Sequence, residues 1–182
     1  MYDRAKTERP AIEEAAAYYF LYIDQVPDGD IVRILRAQLD TARPLLASLA
    51  DRRDFAYAPG KWTIREVLSH VNDTERLFAS RAFWFARGFS DPLPSFDQEV
   101  ALNNARASQT RWESHVEEFE SIRISTISFF GNLPPSAWMA RGVASGNEFS
   151  VRALAFIVAG HWAHHLELLR LRYSVQHVTD PS

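Results

Sequence analysis

The chain has 182 residues, 47% of them hydrophobic and 24% charged, which suits one soluble globular domain over 1–182 and is unlike a disordered chain. Twenty basic against 23 acidic side chains give a net charge of −3, so the basic excess of a nucleic-acid binder is missing. There is no cysteine, which excludes disulfides, thiolate metal ligands and a cysteine nucleophile. Any metal must be held by nitrogen and oxygen, a donor set open to zinc, nickel, iron, manganese or cobalt.

Apolar stretches are broken by charge or histidine well before the ~20 residues of a membrane span. Residues 1–9 are polar and lead into no signal-type apolar core. A cytoplasmic protein with neither membrane nor nucleic-acid partners is expected.

The segment Pro10–Val26 holds Tyr18, Tyr19, Phe20, Leu21, Tyr22 and Ile23, and reads as a short helix lying across a bundle. A first long helix is predicted from Asp30, a plausible N-cap, to Asp51, on the spacing of Ile31, Leu35, Leu39, Leu46 and Leu49. Pro44 inside it predicts a kink or a break. A second helix begins at Thr63, after the Pro59-Gly60 turn. Thr63-Ile64-Arg65-Glu66 is a capping box, and the helix should run to Arg87 and stop at Gly88.

Residues 89–96 form a connector with two prolines. A helical stretch is predicted over 97–132 with a bend near Ser108, then a loop over 136–149 containing one helical turn. A fourth helix should start after Ser150 and end near Tyr173, leaving a polar, frayed tail over 174–182. Four long helices and scarce glycine (seven) predict an all-α four-helix bundle.

The fourth helix contains His161-Trp162-Ala163-His164-His165. His161 and His165 are four apart, so their side chains share a face and two imidazoles can converge on one ion. They lie on the stripe Leu154, Val158, His161, His165, Leu168. His70 follows Val67 by three in the second helix and lies on or near its inward stripe. His70, His161 and His165 together form a candidate three-nitrogen metal site with a position left for water or substrate. The alternative is ordinary helix histidines without a ligand.

Glu66 and Asp73, each about a turn from His70, are candidates to orient an imidazole or act as acid or base. The capping box already explains Glu66, and Asp73 and Glu75 also read as surface charges beside Arg76 or Lys61. His164 is expected at the edge of the site or packed against another helix, His115 in solvent, and His177 in the tail without a role. Glu167 is expected in solvent beside Arg170. Trp62, Phe83, Trp84, Phe85, Trp112, Trp138 and Trp162 read as core, a few of them lining a pocket mouth.

Ala58-Pro59-Gly60-Lys61-Trp62-Thr63-Ile64-Arg65-Glu66-Val67-Leu68-Ser69-His70, continued by Asp73-Thr74-Glu75-Arg76, together with Gly160-His161-Trp162-Ala163-His164-His165, resembles the DinB/YfiT-type family of metal-binding proteins. Arg81–Gly88 and Leu93–Asp97 resemble one branch of it. The resemblance covers most of the chain. It implies up-down-down-up connectivity and a divalent metal, nickel or zinc, on His70, His161 and His165. It further implies a homodimer and a small-molecule substrate. The expected activity is metal-dependent transfer to or from a low-molecular-weight thiol, or hydrolysis; the alternative is a non-catalytic metal-binding or stress-response bundle.

Overall fold

Four long helices carry the fold of this computed structural model, which describes residues 8–173. Expectations for residues 1–7, the tail 174–182 and His177 fall outside the described residues. After two 3-10 turns, Ile12–Glu14 and Ala17–Tyr19, come α1 (Phe20–Ile23), α2 (Ile31–Ser48) and α3 (Ile64–Ala86). Next are α4 (Gln98–Ala105), α5 (Trp112–Gly131), a hairpin of β1 (Arg141–Ala144) and β2 (Asn147–Ser150), and α6 (Val151–Tyr173). The chain is mostly helical, and the expected all-α class is corrected by the hairpin.

Each long helix starts or packs for a visible reason. Asp30 accepts the Val32 and Arg33 N–H groups at the start of α2, and Ile31, Leu35, Leu39, Ala42 and Leu46 bury one face. Pro44 does not end α2, which continues to Ser48. Thr63 Oγ1 accepts the Glu66 N–H at 3.2 Å and Glu66 Oε2 accepts the Thr63 N–H at 2.7 Å, so the capping box opens α3. Gly88, with φ of +80°, follows its end. Ser150 Oγ accepts the Ala153 N–H at 2.9 Å and starts α6. Every residue from Ala153 to Trp162 is buried, so this half of α6 is the central rod.

The expected helical stretch over 97–132 is two helices. Arg106 turns left-handed (φ of 47°), a 3-10 turn follows at Ala107–Gln109, and α5 starts afresh at Trp112. The segment expected as a loop with one helical turn over 136–149 does hold such a turn, a 3-10 turn at Pro135–Met139, but the rest of it is an antiparallel hairpin, in register Arg141↔Ser150 to Ala144↔Asn147. Ser145 and Gly146 both have positive φ, the backbone a two-residue type I′ turn requires. The connector joins this ribbon, since the Leu93 N–H donates to the Val143 carbonyl at 2.9 Å. Gly142 is required there, because the Phe85 ring fills the space a Cβ would need.

Between the helices, Trp112 Nε1–H donates to the Leu46 carbonyl and Gly131 faces Val32, pinning α5 along α2. Arg123, fully buried, gives its guanidinium to the Glu75 carboxylate (2.7–3.0 Å) and to Gln38 Oε1 (2.8 Å), while Gln38 Nε2–H donates to the Ala159 carbonyl. One polar network thus joins α5, α3, α2 and α6. Glu75 is therefore a core ion-pair residue and not the expected surface charge. No helix among the described residues is long and apolar enough to cross a membrane.

Candidate metal centre

The two imidazoles of α6 meet the third across the α3–α6 interface. His70 Nε2 and His165 Nε2 each lie 3.2 Å from His161 Nε2. The three side chains are buried, each residue 6% exposed, and one donor atom from each lies within 4.8 Å of the others. Imidazole nitrogens sit about 2.0–2.1 Å from zinc, so tetrahedral neighbours lie roughly 3.3 Å apart. The observed 3.2 Å separations fit that spacing, and an all-nitrogen donor set is one that a cysteine-free chain can supply.

Burial also sets the charge state. It pushes His70 down to about 4, and it pushes His165 to about 3, helped by His70 and His164. His161 is driven well below its ordinary range, first by burial and then by His165, His70, His164 and Arg123. All three rings are neutral at pH 7 and offer lone pairs.

Aromatic rings and one hydroxyl frame the centre. The Trp62 ring lies 5.0 Å from that of His70, and Tyr22 and Phe78 stand edge-on to His161 at 5.2 and 6.3 Å. Thr74 Oγ1 lies 3.2 Å from His161 Nδ1. His165 Nδ1 is buried and has no hydrogen-bond partner among the described residues. His164 sits at the edge as expected, beside Tyr22, with Nδ1 3.3 Å from Gln25 Nε2.

Tyr22 is brought here by close backbone contact. A Cβ on Gly160 would come within 2.0 Å of the Tyr22 carbonyl oxygen, so glycine lets α1 press onto α6 one residue before His161.

The two carboxylate candidates have partners elsewhere. Glu66 Oε2 is taken by the Thr63 N–H and hydroxyl, and Asp73 lies 3.9 Å from Arg76. Burial raises the Asp73 carboxyl, opposed by Arg76 and reinforced by Glu118. His115, expected in solvent, is 4% exposed, with its Nε2 3.0 Å from the Ala107 carbonyl. It sits on the inward stripe Trp112, His115, Phe119, Arg123, a pattern readable in the sequence. Of the rings expected in the core, Phe85, Trp112 and Trp162 are buried, and Phe83 is 45% exposed. Glu167 pairs with Arg170 at 3.3 Å, as expected. A groove between α2 and α5, lined by Arg36, Leu39, Ile124 and Ile127, includes none of these site residues.

Fold and centre together define a mostly helical protein with a buried three-histidine nitrogen centre. The chain belongs to the DinB superfamily, whose family model matches residues 34–169. Its fold is similar to that of YfiT from Bacillus subtilis, described as a probable metal-dependent hydrolase with an unusual four-helix bundle topology. The TM-score is 0.63 at 14% identity, over 93% of this chain and 95% of that one. It is also similar to a mycothiol-dependent maleylpyruvate isomerase, with a TM-score of 0.59 at 16% identity. That match takes in 76% of this chain and 59% of the isomerase, so this chain corresponds to about three fifths of that protein. At these identities the likeness concerns the fold alone. Comparison with curated proteins finds no match.

Proposed function

We propose that His70, His161 and His165 hold one divalent metal ion, nickel or zinc, through their Nε2 atoms. In this reading the chain is a metal-dependent enzyme acting on a small molecule, of thiol S-transferase or hydrolase type. The observation that carries the proposal is the convergence of three neutral, buried imidazoles at ligand spacing. A metal bound there would polarise a substrate carbonyl or lower the pKa of a coordinated water or thiol. The descriptions of the two similar structures, a metal-dependent hydrolase and a thiol-dependent isomerase, agree with that chemistry.

The protein's own groups have separate parts in this reading. Trp62, Tyr22 and Phe78 present rings that limit water and favour an apolar or planar substrate body. Asp73 remains an acid or base candidate one turn from His70; burial raises its carboxyl and Arg76 opposes that shift. Glu66 supports the centre through the cap of the helix that carries His70. An up-down-down-up course is part of the proposal. Trp112 against Leu46 and Gly131 against Val32 support an antiparallel α2 and α5. Glu75 with Arg123 and Phe83 with Phe129 support a parallel α3 and α5. The homodimer and low-molecular-weight thiol belong to the same proposal, the first testable by sedimentation.

The deciding experiment is elemental analysis of protein purified without an affinity tag or chelator, beside a His161→Ala, His165→Ala double variant. Near-stoichiometric metal that is lost in the variant is expected. An equal metal content in both would overturn the ligand assignment.

A second reading, a non-catalytic metal-binding or stress-response bundle, is favoured by the 6% exposure of all three rings. Cobalt-substituted protein separates the two. A visible spectrum that shifts on adding a small thiol marks an open coordination position, and an unchanged spectrum marks a sealed one.

A further inference from the structure

Thr74 lies one helical turn after His70 on α3 and is buried. Its Oγ1 is 2.7 Å from the His70 carbonyl oxygen and 3.1 Å from that of Val71. Carbonyls only accept, so the single hydroxyl hydrogen is committed to this pair. Toward His161 Nδ1, 3.2 Å away, the hydroxyl therefore presents an oxygen lone pair. The facing nitrogen must carry the hydrogen. A neutral imidazole has one N–H, so His161 Nε2 is left bare.

We infer that Thr74 is a positioning residue that holds His161 in the Nδ1–H tautomer and so turns its Nε2 lone pair toward His70 and His165. The inward geometry agrees. His161 Nε2 lies 3.2 Å from both partner nitrogens, and a bare nitrogen can accept from either ring or share a cation with both. An Nε2–H could serve one partner only, and its Nδ1 lone pair would face the lone pair of Thr74. His165 has no such outer partner among the described residues, its Nδ1 being buried and without a hydrogen bond there. His161 is thus a ligand whose tautomer is set before any ion arrives.

The affinity consequence rests on the metal-site reading; the tautomer is a property of the metal-free chain. The test therefore has two arms. Long-range proton–nitrogen correlation spectra of histidine-labelled, chelator-treated protein should show His161 protonated at Nδ1 in the wild type and in Thr74→Ser. In Thr74→Val, a near-isosteric change, the two tautomers should mix. Zinc affinity, read by competition with a chromophoric chelator, should fall by about 10–100-fold in Thr74→Val and be restored in Thr74→Ser.

An Nε2–H signal for His161 in the wild type overturns the inference. So does a folded Thr74→Val protein with unchanged tautomer and zinc affinity. If the wild type binds neither zinc nor nickel, the metal reading fails, and the spectra still decide the role of Thr74.

Discussion

Gly160 on α6 faces the backbone of Tyr22 on α1 so closely that a Cβ there would lie 2.0 Å from the Tyr22 carbonyl oxygen. A backbone atom cannot swing aside as a long side chain can. Gly160→Ala must therefore push α1 away from α6 or strain both. Better helix propensity for alanine works the other way, by about 1 kcal/mol. Overpacking of a tight core contact costs about 1–3 kcal/mol, so net destabilisation is expected, with a lower midpoint in urea. Because the Tyr22 ring leans on His161, the same variant should also weaken metal binding. A midpoint equal to or above the wild type would mean that α1 is free to move off α6.

Arg123 and Glu75 form a buried ion pair inside the bundle, 0% and 4% exposed at the side chain. Removing one partner leaves a charge in the core without its counter-charge, at a cost of about 3–5 kcal/mol. Arg123→Met and Glu75→Leu should each be strongly destabilised in urea titration. The double variant should be more stable than the sum of the two losses predicts, because neither charge then remains. Additive losses would show that the pair contributes through separate contacts, such as Arg123 over the Phe119 ring or on Gln38.

Glu14 ties the segment before α1 to the start of α6. It is 1% exposed, and its carboxylate accepts from the Ser150 hydroxyl at 2.6 Å and from Arg152 Nε and Nη2. Burial alone would raise its pKa. The hydrogen bonds from Arg152, Ser150 and the Ala11 N–H outweigh burial and lower it. Glu14→Ala takes from Arg152 its buried partner, leaving only the exposed Glu8 at 3.6 Å, and strips the cap hydroxyl of its acceptor, at a cost of about 1–3 kcal/mol. A thermal scan checks this, and an unchanged melting temperature would place the segment's stability elsewhere.

Periodicity and caps made the long helices legible. Asp30, Thr63 with Glu66, and Ser150 stand where the sequence places them, and so does the inward pair His161 and His165. The hairpin was not legible, because strands of four residues carry too little alternation to outweigh helical neighbours. A bend was legible near Ser108, but its deepening into a full break depends on the left-handed backbone of Arg106, a non-glycine residue. Buried Glu75, Arg123 and His115 sat on apolar stripes, yet charged residues are mostly exposed unless paired, and pairing is a tertiary fact. Thr74 lies one turn from His70, but its contact with His161 exists only once α3 and α6 meet. Tyr22 was legible only as part of a short helix lying across the bundle; its place beside His161 depends on the missing side chain of Gly160.

Acid should unfold the metal-free protein through its histidines. Burial sets His70 near 4 and His165 near 3 in the folded chain, against an ordinary 6.5 when unfolded, and it moves His161 in the same direction. Between the folded values and 6.5 the unfolded chain binds more protons, so unfolding free energy rises with pH across that window. The histidine contribution is whole above about 6.5 and is lost as pH falls toward 4 and then 3. Asp73, raised by burial from 3.8, gives a slope of opposite sign at the acid end, but three rings outweigh one carboxyl. Urea midpoints of chelator-treated protein should therefore fall steadily from about pH 6.5 to 4.5, and a His70→Gln, His165→Gln variant should show a flatter profile. Bound metal should steepen the dependence, because protons compete for the same Nε2 lone pairs. A wild-type midpoint that is flat over this window would mean that the rings are solvated enough to protonate without unfolding, and would overturn this account of the buried centre.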